Sequence, residues 1–338
     1  MQLKSSLLIV LLLTLLCLIS LSLGSVSIPL SEVFKSITFQ EVENQNWHYI
    51  IVDYRLPKTI TAIFVGGGLA LSGLLMQTLF RNPLAGPYVL GLSSGASLGV
   101  AILILGSGIL GLNFGDFLSE RWLIVLASSL GSLLVMFGIL MTASRIKDTM
   151  ALLIIGLMFA SLTGAVVNVL SFFSSANELQ KYVFWSLGSL GDLTWNEVSI
   201  LAICSLISYL IILFILKNLN SLLLGEKYAE SLGVNLKRNR FLIILSTSLL
   251  AGSITAFAGP IAFIGLAVPH LTRQIIKTNN HLVLVPSVLL SGAILMLICD
   301  IIAQLPFSEL TIPINAVTSI IGAPLVIWLL VKQRHIKF

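Results

Sequence analysis

Gly91-Leu92-Ser93-Ser94-Gly95 has the G-x-S-x-G spacing that exposes a nucleophilic serine on a sharp strand-to-helix turn. That chemistry needs a strand before the motif, a soluble α/β sheet around it and a histidine within reach. Here the motif opens a long apolar run, where small residues serve packing and a tight helix entry. His270, within Val268-Pro269-His270-Leu271-Thr272-Arg273, closes another apolar run and reads as interfacial. Asp300 is the one carboxylate deep enough in an apolar run to be awkward. An acid at membrane depth is either a proton acceptor or a satisfied hydrogen-bonding group. Its place near the end of the run favours the second reading, and no series of charges accompanies it to form a proton relay. Cys17, Cys204 and Cys299 are isolated, so no disulfide framework or metal site is expected. Neither G-x-x-x-x-G-K-[ST] nor H-E-x-x-H occurs. The chain is therefore expected to be no enzyme and to carry no cofactor or metal.

The elements that hold these residues are membrane helices. Hydrophobic residues make up 57% of the chain and charged residues 10%, against roughly a quarter charged in a soluble domain. Such a chain cannot cover a water-facing surface, and its apolar content runs from end to end of the 338 residues. One membrane domain over 1–338 is expected. Spans of about 20 apolar residues fall near 6–24, 58–80, 88–107, 122–142, 150–173, 196–216, 241–258, 260–276, 282–305 and 312–331. The first run resembles a signal peptide but is long for one and lacks a convincing cleavage site, so it reads as a retained span. Residues 241–272 form one run that a single helix would stretch to about 48 Å. Ala258-Gly259-Pro260 is the natural break, and a tight hairpin of two spans is expected there.

Charge tests this count. With the N-terminus inside, ten spans leave only Lys35, Arg55, Lys58, Arg121 and Lys181 outside, and the other basic residues inside. That is the asymmetry of the positive-inside rule. The net charge of +5 is thus a record of topology, not a nucleic-acid signal. The expected product is an all-α polytopic protein of a cell membrane, multi-pass, with both termini cytoplasmic. A short helix is expected at the external surface around Phe184–Leu190.

Several spans carry small or polar faces. Ala62, Gly66, Ala70, Gly73 and Gln77 share one face of the second span. Ser161, Gly164, Asn168 and Ser171 share one of the fifth. Thr311, Asn315, Thr318 and Gly322 share one of the last. Close helix packing and the lining of an aqueous path both fit such faces. The longest polar interruption on the basic side is 217–240. It holds a short amphipathic helix with Glu226, Lys227 and Glu230 opposite Leu224, Tyr228, Ala229 and Leu232, stopped by Gly233. Such a helix suits either a partner's groove or an ordinary surface loop.

Longer phrases carry a resemblance. Arg55-Leu56-Pro57-Lys58, Gly66-Gly67-Gly68, the run from Gly73-Leu74-Leu75-Met76-Gln77 to Arg81-Asn82-Pro83-Leu84-Ala85-Gly86-Pro87, and Leu90-Gly91-Leu92-Ser93-Ser94-Gly95-Ala96 resemble the FecCD family. Gly225-Glu226, Ala229, Leu232-Gly233, the stretch from Gly259-Pro260 to Leu266, Pro269-His270, Arg273 and Gly322-Ala323-Pro324 follow in that family's order. These are permease subunits of ATP-binding-cassette importers for iron-siderophores, haem and cobalamin. The resemblance covers nearly the whole chain. It implies the type II importer permease fold of ten helices. It also implies a second copy of the chain, two ATPase subunits, an extracytoplasmic solute-binding protein and a surrounding lipid bilayer as partners.

By the same resemblance, Gly225, Glu226, Ala229, Leu232 and Gly233 form the helix that couples to the ATPase. Arg55 and Lys58 receive acidic residues of the binding protein. Thr149 and Met150 lie at a cytoplasmic gate. The fifth and tenth helices line the path, with Ser161, Asn168, Asn315 and Thr318 on their polar faces. Two departures stand out. Thr311-Ile312-Pro313-Ile314-Asn315 replaces a more usual Glu-Leu-Pro phrase, and Gln304 stands where some relatives have a basic residue. A ferric siderophore leads as cargo, with haem and cobalamin beside it. The alternative is a secondary transporter of a small solute.

Overall fold

In the computed structural model, residues 2–38, 40–110, 120–146, 149–191, 193–306, 308 and 310–332 are described. They fold into α-helices, one π-helical turn and one 3-10 turn, with no strand among them. The helices are α1 Gln2–Ser22, α2 Leu30–Ile37, α3 Gln45–Tyr49, α4 Leu56–Phe80, α5 Leu92–Leu110, α6 Glu120–Arg145 and α7 Thr149–Phe173. They continue with α8 Ala176–Ser186, α9 Trp195–Leu223, α10 Glu226–Ser231, α11 Leu236–Ala258, α12 Ile264–Ile276, α13 His281–Ala303 and α14 Ile314–Lys332. Every expected span has its helix: α1, α4, α5, α6, α7, α9, α11, α12, α13 and α14. Six of the described helices are long and apolar enough to cross a bilayer unaided, and α1, α5 and α14 contain shorter apolar stretches.

α4 is the axle. It packs on α13, α11, α12 and α9, and its glycines let those neighbours approach at backbone distance. A Cβ on Gly66 would fall inside the contact radius of Gly292 O on α13, and one on Gly73 inside that of Gly265 O on α12. The reciprocal Cβ on Gly265 would meet Leu69 O at 2.7 Å. The small-residue face of the second span is therefore a packing face. α5 and α6 form a second close pair, with Gly95 and Gly131 facing each other.

Helix ends are fixed by side chains. Ser175 and Glu178 close a capping box on α8, and Thr194 and Glu197 close another on α9. Glu197 is buried, and its second oxygen meets Arg121 Nε at 2.8 Å. Asn235 and Asn280 cap α11 and α13. Between α1 and α4, the short α2 and α3 fold over a small cluster of Leu21, Ile28, Val33 and Ile51. The surface helix expected near 184–190 lies earlier, at Ala176–Ser186. Gly188, at φ +73°, ends it, because a left-handed residue cannot continue a helix.

The eighth span departs from expectation in a second way. α12 has 13 residues, about 20 Å at 1.5 Å per residue. Residues 259–263 ahead of it are not helical. Backbone without helical bonds is tolerated at membrane depth where protein covers it or it borders a cavity. Here Ala262 N donates to Asn315 Oδ1 at 3.1 Å, and Ser189 N donates to Ala258 O at 3.0 Å. The hairpin of two full spans is thus one full span, a bend and a half-length helix.

The bundle has two chemically different ends. One gathers the C-termini of α4 and α9, α10, and the N-termini of α11 and α13. The other gathers Arg55, the C-termini of α1 and α13, α8, and the N-terminus of α9.

Candidate functional site

Among the six described spans α7 is the least covered, with α6 and α9 next. Only 22% of its spanning window is buried, against 83% for the span that contains α4. Nothing lies within 4 Å of a Cβ built on Gly164. A cavity of ≈ 430 Å³ opens beside it. Ser93, Ser94 and Ser97 of α5 line one wall, and Thr163, Gly164 and Asn168 of α7 line another. Tyr182 of α8, the 260–262 segment and Asn315 complete it. The lining sets hydroxyls and amides among apolar surface from Val167, Pro260 and Ala262, without a formal charge. Tyr182 hydrogen-bonds Ser97, and burial raises its hydroxyl pKa above the usual value.

The expected path residues distribute unevenly. Asn168 is exposed on the cavity side of α7, and Asn315 borders the same space. The Asn315 amide also accepts from Ala262 N and so braces the non-helical wall. Ser161 is exposed on α7 but outside the cavity lining. Met150 is exposed at the first turn of α7, while the Thr149 side chain lies outside the described residues. Thr318 is buried, with its hydroxyl on Asn315 O at 3.1 Å. The α5 hydroxyls carry no sequence mark of a cavity wall, because small residues at the start of an apolar run equally serve packing and a tight helix entry. Ser93 Oγ faces Thr255 Oγ1 at 3.4 Å, so its partner is another alcohol and not a base.

At one end of the bundle the charges turn inward. Arg55 is buried. Its guanidinium donates to Leu21 O and Ser22 O at 2.8 and 2.9 Å, and to Val26 O. These include the orphan carbonyls at the C-terminus of α1. Gly24 leaves the space that the guanidinium occupies. The expectation of Arg55 as a rim charge meets a side chain occupied with backbone. Lys58 Nζ meets Asp300 Oδ1 at 3.1 Å, with side-chain exposures of 17% and 3%. Gln304 Nε2 donates to the other carboxylate oxygen at 2.8 Å. Asp300 is thus the satisfied acid expected from its position, with a lysine as its main partner. The cluster borders an open cavity of ≈ 720 Å³.

At the opposite end, charges and amides tie segments together. α10 is bracketed by Gly225 at φ +117° and Gly233 at φ +84°. Gly233 N donates to Glu230 O and Val234 N to Ala229 O, the paired bonds of a Schellman stop. Ala229 is buried against the bundle, while Leu224, Tyr228 and Leu232 are exposed. Glu226 Oε1 accepts from Arg240 Nη2 at 3.2 Å. Arg81 Nη2 donates to Leu223 O at 3.3 Å, at the end of α9. Nearby, Asn220 Oδ1 accepts from both His281 N and His281 Nδ1, and His281 Nε2 pairs with Thr78 Oγ1 at 2.9 Å. The Asn220 amide nitrogen donates to Asn280 Oδ1, which fixes its orientation. Its oxygen must therefore face His281, and the Nδ1–H form of the ring follows. The α4, α9 and α13 ends are clasped by this neutral network.

Residues 12–332 match the model of the FecCD transport family. The chain belongs to that family. It is 35% identical over 324 residues to the hemin transport system permease protein HmuU of Yersinia pestis, covering 95% of each chain. It is 36% identical over 282 residues to the vitamin B12 import system permease protein BtuC of Klebsiella pneumoniae, covering 83% of this chain and 82% of the relative. An inward-facing structure of an ABC transporter assigned to the metal-chelate type superposes with a TM-score of 0.84 at 31% identity. It covers 97% of this chain and 99% of that one. The chain is therefore an ABC transporter permease with the fold of that class.

Proposed function

We propose that this chain forms, with a second copy of itself, the membrane path of an ABC importer that takes up an iron chelate, a ferric siderophore in the first instance. Haem and cobalamin are the other cargoes, and the hemin and vitamin B12 permeases HmuU and BtuC support that class. The observation that carries the reading is the open face of α7 beside an uncharged hydroxyl- and amide-lined cavity. A lining of this kind makes weak, broad contacts, which suits a path whose selectivity resides in a separate binding protein.

In this reading the α10 end faces the cytoplasm, in keeping with the many basic residues there and with both termini on that side. α10 presents Tyr228 and Leu232 to an ATPase subunit, with Ala229 as its anchor on the bundle and Gly225 and Gly233 as its limits. ATP binding draws the ATPases together, the two α10 helices move with them, and the permease halves tilt between outward- and inward-facing states. Met150 and Thr149 close the path at that end. The binding protein docks at the opposite rim. Since Arg55 is engaged with α1, the docking charge there falls mainly on Lys58, which an incoming carboxylate shares with Asp300.

The test is uptake of labelled ferric siderophores, haem and cobalamin by cells lacking this chain, with the chain or its Leu232→Asp variant restored. Rescue of one cargo by the wild-type chain alone names the solute and supports the ATPase coupling. Uptake that persists with the ATPase deleted and follows an ion gradient would favour a secondary transporter instead.

A further inference from the structure

Arg240 bridges α10 and the turn between α6 and α7 by side-chain hydrogen bonds. α10 packs on α9 and α11, α11 packs along α6, and α7 packs on α5, α6, α4 and the 3-10 turn Pro87–Leu90. Arg240 lies in the first turns of α11, beneath α10. One arm of its guanidinium, Nη2, donates to Glu226 Oε1 at 3.2 Å, and the other, Nη1, donates to Ile146 O at 2.8 Å. The side chain is only 11% exposed, and that of Glu226 is 38% exposed. Ile146 follows the last residue of α6, three positions before α7 begins at Thr149. Its carbonyl belongs to the helix end that no intrahelical N–H reaches, where a cation is favoured. A planar fork can hold a carboxylate and a carbonyl in two fixed directions at once, and an ammonium cannot.

We propose that Arg240 is a positioning residue that links α10 to the α6–α7 turn. Movement of α10 is then delivered to the first turn of α7, where Met150 stands, as well as to α9 and α11. This rests on the reading of α10 as the ATPase-facing helix and adds the route by which its motion reaches the path. Glu226 acts in this route from the inner side of α10, facing Arg240 while Tyr228 and Leu232 face outward.

The experiment uses the full importer, permease with its ATPase and binding protein, in proteoliposomes. Arg240→Lys keeps the charge and loses the fork, and Arg240→Gln loses both. Three quantities are read: co-purification of the ATPase, ATP hydrolysis, and cargo taken up per ATP. For Arg240→Lys, assembly and hydrolysis are expected to stay near wild type. Uptake per ATP is expected to fall by roughly tenfold, within the range for residues on a coupling route. A second measurement guards against a folding defect in Arg240→Gln. Spin labels at 150 and 228 in the wild-type and Arg240→Lys complexes should show a nucleotide-dependent distance change that the variant reduces. Normal uptake per ATP in both variants and an unchanged distance response in Arg240→Lys would overturn the link while leaving α10 as the docking helix. A wild-type permease that fails to retain the ATPase, together with Leu232→Asp behaving as wild type, would overturn the reading of α10 and the link with it.

Discussion

Along α4, Gly66 and Gly73 meet the backbones of α13 and α12 so closely that no Cβ fits. Along α7, Gly164 meets nothing within 4 Å, and Asn168 one turn further on borders a cavity. Both helices carry small residues at helical spacing, and both are apolar enough to span a bilayer. The difference comes from what stands opposite. Gly292 and Gly265 supply matching small residues to α4, so two backbones close on each other. α7 has no such partner at Gly164. Its large side chains Ile154, Met158, Leu162, Val169 and Phe172 are exposed. A small-residue stripe therefore states that something can come near, and only the facing helix decides whether backbone or solute does.

The contrast can be broken from the α4 side with the largest effects. Lys58 opens α4 and holds Asp300 of α13, so Lys58→Met leaves a buried carboxylate without its cation. A loss of about 3–5 kcal/mol is expected, as for one-sided removal of a buried pair. The double variant Lys58→Met/Asp300→Leu should recover most of it in thermal unfolding of the detergent-solubilised protein. If the single variant is as stable as wild type, the pair does not hold α4 to α13. Gly66→Ala comes next, at ~1–3 kcal/mol for overpacking against a backbone that cannot yield. A drop in melting temperature and in monodisperse yield would show it.

Asn315→Ala should cost about 1 kcal/mol, because Ala262 N loses its acceptor in the non-helical wall. It should also lower uptake, since that wall borders the cavity. Gly164→Ala is the smallest effect, within about 0.5 kcal/mol, measured by the same melting assay. Gly164→Trp should leave the folded yield intact and abolish uptake. A melting loss for Gly164→Ala equal to that of Gly66→Ala would erase the distinction between the two helices.

The positions of the spans were legible because apolar run length and the placement of Lys and Arg report directly on the bilayer. Gly233 was legible as the stop of α10 for a similarly local reason. The direction of Arg55 was not. Its partners are carbonyls of Leu21, Ser22 and Val26, which belong to another helix end and leave no mark in side-chain chemistry. Lys58 and Asp300 are far apart in sequence, and their pairing exists only through the α4–α13 contact. The half-length α12 was hidden because residues 259–263 are as apolar as a helix would be. Ala262 N is satisfied by Asn315, and Ser189 N meets Ala258 O just ahead of the segment, pairings that no periodicity reveals. Glu226 reads in sequence as a solvated face, yet it points to Arg240.

Thiol accessibility in the assembled importer tests the central claim, that the open face of α7 lines the path. Cys17, Cys204 and Cys299 are first replaced by serine. Single cysteines are then placed at Asn168 on α7 and at Ala70 on α4, and a membrane-impermeant thiol reagent is applied with and without cargo-loaded binding protein. The account predicts rapid labelling at 168 that changes when cargo enters, and none at 70. A cysteine at 168 that stays unreactive, or reacts identically in every state while uptake continues, would contradict it.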